Sequence, residues 1–146
     1  AFSPERAGGV PNGELVRLCY SGKYTEKEMI KQLVGKAGFN AYCGSNDARD
    51  IEAMAKNGDK HAQLVFDAFL YQVSKDIGAQ AAVLSGKVDQ IILTGGIAYG
   101  KYATEEITKR VQFIAPVTVY GGEDELLALA QGALRVLNGE EEAKVY

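Results

Sequence analysis

The longest regular pattern in the chain has a period of four. Val65, Phe69, Val73, Ile77 and Ala81 recur at every fourth position, and Leu64, Ala68 and Leu84 widen the same stripe. That period predicts one long helix over about Lys60–Leu84, capped by Asp59, with Phe69, Val73 and Ile77 turned into the core. Its end, Gly78-Ala79-Gln80-Ala81-Ala82, is small enough to let another backbone come close.

Upstream, Thr25 with Glu28 three residues on reads as a capping box that opens a helix over Glu26–Val34, and Gly35 stops it. Ser45, Asn46 and Asp47 offer capping oxygens to a helix over Ala48–Lys56, which Asn57-Gly58 ends. Glu14–Ser21 fits a helical turn or a strand. Gly38–Gly44 is a short glycine-bounded stretch holding Phe39, Tyr42 and Cys43. Residues 1–14, with Pro4, Gly8, Gly9, Pro11 and Gly13, read as loop.

Downstream the pattern alternates. Val88–Thr94 reads as a buried strand closed by Gly95-Gly96, and a helix follows over Tyr102–Val111. Pro116–Tyr120 is a second strand. Gly121-Gly122 then turn into a last helix over Asp124–Leu137, and Glu140–Glu142 read as a frayed tail. This alternation predicts an α/β layer with parallel strands. The expected organisation is one domain over 1–146: a leading loop 1–14, a helical segment 15–58, an α/β core 59–138 and a tail 139–146.

Composition adds boundaries. A chain of 146 residues, 47% apolar and 24% charged, suits one globular domain. Its net charge is -3, and the lysines between Lys27 and Lys36 are interrupted by acids and apolar residues, so no nucleic-acid partner is expected. No apolar run approaches the roughly 20 residues that cross a bilayer, and no signal-peptide pattern opens the chain. A cytoplasmic protein with no membrane partner is expected. Cys19 and Cys43 form no C-x-x-C and suit reduced, buried small hydrophobes. The chain opens at Ala1-Phe2-Ser3-Pro4 without Met, which suggests a piece of a longer protein.

Three strings could carry chemistry. In Ile91-Ile92-Leu93-Thr94-Gly95-Gly96-Ile97-Ala98-Tyr99-Gly100 a strand meets glycines and then a helix. Such a turn lets backbone approach a ligand and aims a helix N-terminus at an anion, or it is a tight turn with no ligand. The dinucleotide fingerprint fails because Ile97 stands where its second glycine belongs. The P-loop pattern runs from Gly95 to Lys101 and then meets Tyr102, whose rigid phenol cannot replace the Mg²⁺-binding Ser or Thr. In the second string, Ser45 to Arg49, Asp47 and Arg49 offer an acceptor and a planar cation to a nucleoside, or simply a helix cap and a surface Arg. In the third, Glu123, Asp124 and Glu125 could hold Mg²⁺ or complement a helix dipole. His61 is the single histidine and belongs on the surface, so no Ser–His–Asp triad or His-based metal site arises from this chain.

Taken together these strings resemble the acetokinase family, most closely its butyrate kinase branch, over essentially the whole chain. Phe2-Ser3-Pro4-Glu5-Arg6-Ala7-Gly8-Gly9 looks like the stretch that follows the branch's central phosphate-binding segment. Tyr42–Arg49 is similar to the family's Asp-x-Arg nucleoside segment, Thr94–Tyr99 to its adenosine turn, and Glu123–Leu126 to its C-terminal acidic segment. The resemblance implies an α/β, ribonuclease-H-like domain of the actin, sugar-kinase and acetokinase type, here the C-terminal half of a duplicated fold. The implied reaction moves phosphate from ATP to butyrate, giving butyryl phosphate and ADP, reversibly. Carried over by position, Gly95, Gly96, Ile97, Ala98, Tyr99 and Gly100 line the nucleotide site, Asp47 and Arg49 face the nucleoside, and one of Glu123, Asp124 and Glu125 holds Mg²⁺. The family's transition-state Arg and His, phosphate-binding residues and acyl pocket lie on an N-terminal domain, so no catalytic residue is assigned here. The short-chain carboxylate would be met through that domain, and a homodimer or higher oligomer is implied. Acetate kinases carry Gly-Ile-Gly-Glu-Asn where this chain has Gly96-Ile97-Ala98-Tyr99-Gly100, which favours the butyrate branch. Two other readings remain: a different ribonuclease-H-like kinase or ATPase, and a self-associating domain without catalysis.

Overall fold

A computed structural model describes residues 1–122 and 124–144. The helices are α1 (Asn12–Cys19), α2 (Glu26–Leu33), α3 (Gly38–Cys43), α4 (Ala48–Lys56), α5 (Lys60–Val83), α6 (Lys101–Val111) and α7 (Glu125–Leu137). Two short strands, β1 (Ile91–Leu93) and β2 (Val117–Val119), and a 3₁₀ turn at Gly96–Tyr99 complete the order.

The local signals behave as the sequence predicts. Thr25 and Glu28 form a reciprocal capping box. Asp59 accepts from the backbone N–H groups of His61 and Ala62 at 2.9 and 3.0 Å. The strands pair in parallel, Ile91 opposite Val117 and Leu93 opposite Val119, with α6 as the crossover.

Several expectations change. The ambiguous Glu14–Ser21 segment is helical, and α1 starts at Asn12, inside the expected leading loop. The rest of that loop is tied down: Ala7 N–H donates to the Leu33 carbonyl at 3.0 Å and Gly35 N–H to the Glu5 carbonyl at 2.8 Å. Val34 leaves α2 one residue early because it bridges to Arg6. Gly38–Cys43, left without a type in the sequence, is a helix. Gly38 sits at φ 60°, and a Cβ there would lie 1.7 Å from the Ser3 carbonyl oxygen.

The core is an aromatic cluster under α5. Phe2, Phe39, Phe66 and Phe69 are buried, with ring centroids 5.0 Å apart for Phe39 and Phe69 and 5.8 Å for Phe2 and Phe69. The buried face of α5 is Ala62, Val65, Phe66, Phe69, Leu70 and Ser74. It is turned from the predicted stripe because α4 and α6 pack against the helix. Phe69 is buried as expected, but Val73, Ile77 and Ala81 are only half-covered, and Leu64 and Leu84 are exposed. Buried Ser74 satisfies its own hydroxyl by donating to the Leu70 carbonyl at 2.8 Å.

The strand expected over Val88–Thr94 is shorter, and Ile91 alone within it is buried; Ile92 is 59% exposed. Cys19 is exposed and Cys43 half-buried, so the pair are not both core residues. Burial pushes the Cys43 thiol up. Among the described residues no helix is long and apolar enough to cross a membrane.

Candidate functional site

Both strands point their carboxyl ends at one rim of the domain, where an open parallel sheet usually binds ligands. Gly95 leaves β1 at φ 87°. Its N–H donates to the Gly122 carbonyl, and the Gly122 N–H donates back to the Gly95 carbonyl, both at 3.2 Å. That reciprocal pair of hydrogen bonds ties the turn after β1 to the turn after β2. The chain then winds through Gly96–Tyr99, closed by the Gly100 N–H donating to the Ile97 carbonyl at 2.9 Å, and enters α6 at Lys101. The residue before α6 is Gly100, which has no side chain to cap it, so the first-turn N–H groups of α6 are suited to an external acceptor.

Across from this turn stands the start of α4. Between them lies a cavity of about 680 Å³ whose lining includes Asp47, Arg49, Gly96, Ile97, Tyr99 and Gly100. Two strings some fifty positions apart in sequence therefore face one space. The floor is Phe66 and Ala103. Gly95 and Ala98 do not line it: Gly95 spends its backbone on Gly122, and Ala98 faces an adjoining hollow with Phe69, Val73 and Ile107.

Asp47 and Arg49 are not free acceptor and free cation. Asp47 caps α4 by accepting the Arg49 N–H at 2.9 Å, and its carboxylate also accepts from the Arg49 guanidinium at Nε and Nη2. These bonds from Arg49 hold the Asp47 carboxyl well below its usual range, at about 2. The helix cap and the candidate site are thus the same carboxylate. Arg49 keeps donors to spare, because a guanidinium has five.

Glu52 is a lining residue that the sequence reading passed over. It follows Ala48 by one helical turn, and that spacing on the groove face was the available signal. One carboxylate oxygen meets Lys56 Nζ at 2.8 Å. The other lies 3.5 Å from where a Cβ on Gly100 would be, so α4 and the turn meet closely.

The acidic segment lies less clearly. Glu123 falls outside the described residues. Asp124 and Glu125 are exposed at the start of α7, and neither lines the groove. Among the described residues, no three metal-ligating side chains gather in one place. Mg²⁺ needs only one or two carboxylates when phosphates and water complete its shell, and Asp124 and Glu125 keep theirs exposed. His61 is on the surface as expected, with Nε2 3.0 Å from the Tyr42 carbonyl. Tyr102 is committed elsewhere: its phenol donates to Asp67 at 2.7 Å and accepts from Gln63 at 3.0 Å. The hydroxyl after Lys101 is therefore turned into α5, away from any P-loop role.

Solved structures of similar shape set the class. The crystal structure of Porphyromonas gingivalis acetate kinase matches with a TM-score of 0.80 at 24% identity, over 92% of this chain and 40% of that chain. The Entamoeba histolytica acetate kinase matches with a TM-score of 0.76 at 19% identity, over 90% of this chain and 42% of that one. The domain is α/β with the fold shared by actin, the sugar kinases and these enzymes. The profile of the acetokinase family covers residues 4–143, and the chain belongs to that family. It is 62% identical over its whole length to "Butyrate kinase 2" of Clostridium acetobutylicum. Against the "Probable butyrate kinase" of Clostridium botulinum (strain Alaska E43 / Type E3) it is 57% identical over 145 residues. The chain spans 41% of the length of each of these curated relatives.

Proposed function

We propose that this chain is the ATP-binding part of a short-chain fatty-acid kinase that phosphorylates butyrate, giving butyryl phosphate and ADP, reversibly. One observation carries the proposal: the Asp47–Arg49 start of α4 and, from the turn after β1, Gly96, Ile97, Tyr99 and Gly100 line one cavity of about 680 Å³ beyond the carboxyl ends of the strands. The relatives' names supply the acceptor.

Ile97, half-buried at the groove, offers apolar surface to a nucleobase. Arg49 and the uncapped start of α6 favour an anionic ligand. One of Glu123, Asp124 and Glu125 would hold Mg²⁺, directly or through water, and the metal would offset phosphate charge. In the transfer, the bond from the γ-phosphorus to its bridging oxygen breaks, a carboxylate oxygen takes the phosphoryl group, and ADP leaves. The acyl pocket and the groups that clamp the γ-phosphate belong to the part of the relatives outside the span matched here. This reading places the protein in the cytoplasm.

A second reading rests on α7, where Leu126, Leu129 and Leu137 are each at least 65% exposed. A helix that presents leucines to water fits self-association.

Calorimetric titration of ATP and ADP, with and without Mg²⁺, tests the first reading. Weak adenine-nucleotide binding is expected, lost in Arg49→Ala. In a hydroxamate assay with ATP, Mg²⁺ and butyrate, the 146-residue chain alone is expected to form no acyl phosphate. In-line transfer tolerates little misplacement, about 1 Å costing roughly 100-fold. Acyl phosphate from this chain alone would refute its role as one part of the machinery.

A further inference from the structure

Tyr99 lines the groove yet is 74% exposed, so burial does not hold its ring in place. What the ring rests on is bare backbone. A Cβ on Gly121 would lie 2.9 Å from Tyr99 Cδ1 and 3.1 Å from Cε1, and a Cβ on Gly122 would lie 2.3 Å from the phenol oxygen. All three distances are below ordinary non-bonded contact, which is about 3.5–4.0 Å between carbons. The two glycines follow β2, on the far side of the Gly95–Gly122 backbone pair from the turn that carries Tyr99.

We propose that Gly121 and Gly122 are positioning residues: they form a seat for the Tyr99 ring, which thereby becomes a fixed wall of the groove against which a planar base packs. The inference rests on the nucleotide reading above and adds to it a specificity wall that the turn's glycines do not supply. The physical reason is reach. The 3₁₀ turn sets the Tyr99 backbone, but an exposed phenol ring has rotamers to choose among. Contact along both glycines leaves it one resting place. An aromatic face held in advance gives a base a stacking surface at little ordering cost.

Gly122 is at φ 110°, where any side chain is strained. Gly121 has no such constraint, and the atoms nearest its would-be Cβ are those of the Tyr99 ring, followed at 3.5 Å by the Ala98 carbonyl oxygen. Gly121→Ala is therefore the clean probe, since the atom that must yield is at the end of an exposed side chain. The experiment uses the whole chain, labelled with 3-fluorotyrosine, with the Tyr99 signal assigned by Tyr99→Phe. Gly121→Ala is expected to shift the Tyr99 fluorine resonance, leave thermal unfolding near that of the unsubstituted chain, and weaken ADP binding about 10-fold. Tyr99→Ala is expected to weaken ADP binding as much, and Tyr99→Phe to keep it. In the Tyr99→Ala background, adding Gly121→Ala should change ADP affinity no further. An unmoved Tyr99 resonance in Gly121→Ala, unchanged affinity, or an equal loss in both backgrounds would overturn the seat. If the unsubstituted chain takes up no ADP, the nucleotide reading fails on its own account, and the resonance alone decides the seat.

Discussion

Asp47 uses one carboxylate twice, as the cap of α4 and as the partner of Arg49 at the groove. Its pKa is lowered from 3.8 to about 2, chiefly by the guanidinium bonds. A folded-state value below the unfolded one gives stability that is fully present above pH 3.8 and is lost as pH falls through about 2. Asp47→Asn keeps a good capping side chain but removes the ion pair. The variant should melt slightly below the unsubstituted chain at pH 6, with the gap closing as pH falls toward 2. A gap that persists unchanged at that pH assigns the loss to something other than the Arg49 pair. Gly38 is the opposite kind of residue, required by space. Gly38→Ala should cost at least about 3 kcal/mol, from strain at positive φ and a clash with fixed backbone, as read by chemical denaturation. The capping box at Thr25 was legible in the sequence because its partners are three residues apart. The Gly38–Ser3 approach was not, because no local pattern states which distant backbone comes near.

At the scale of elements, α5 shows how a period can be right and its phase wrong. Apolar residues surround much of the helix, so several stripes fit the same period of about four. Which one is buried depends on where α4 and α6 lie. Phe69 belongs to both the predicted and the observed face, and contacts Phe2, Phe39 and Phe66. Phe69→Ala should cost about 3–5 kcal/mol, lowering the melting temperature by about 10 °C. Leu64→Ala, at a position 67% exposed, should change stability by less than about 0.5 kcal/mol. Equal losses at the two positions would restore the predicted stripe. The helix α3 escaped notice because its few residues lie between glycines and make less than two turns. It is held by Phe39 in the aromatic cluster and not by its own propensity.

At the scale of the whole molecule, the described chain leaves apolar surface uncovered. No described residue of α7 is buried, and Leu126 and Leu137 are 84% and 80% exposed. Ile92 lies open on the sheet. Exposed apolar side chains on this scale favour association. Sedimentation velocity at high micromolar concentration should therefore show a dimer or larger species. A single monomer boundary at that concentration would count against the α7 reading. Charged substitutions at Leu126 and Leu129 should shift the distribution toward monomer.

The sequence by itself determined what is local: the caps, the capping box, the long helix and the α/β alternation that makes the sheet parallel. It also carried the family, because the ordered strings around Asp47 and Gly96 are themselves local. What only the tertiary structure decided is which of those strings touch and with what. Arg49 could face a ligand or its own helix cap, and folding places it on Asp47 at the edge of the groove. Gly121-Gly122 read as a plain turn until the Tyr99 ring came to rest on them. The reason is physical. Hydrogen bonds within a turn or helix depend on neighbours a few residues away, so the sequence states them directly. Packing pairs residues far apart along the chain, such as Gly38 with Ser3 and Tyr99 with Gly122, and their meeting is fixed by the volume that every other side chain fills.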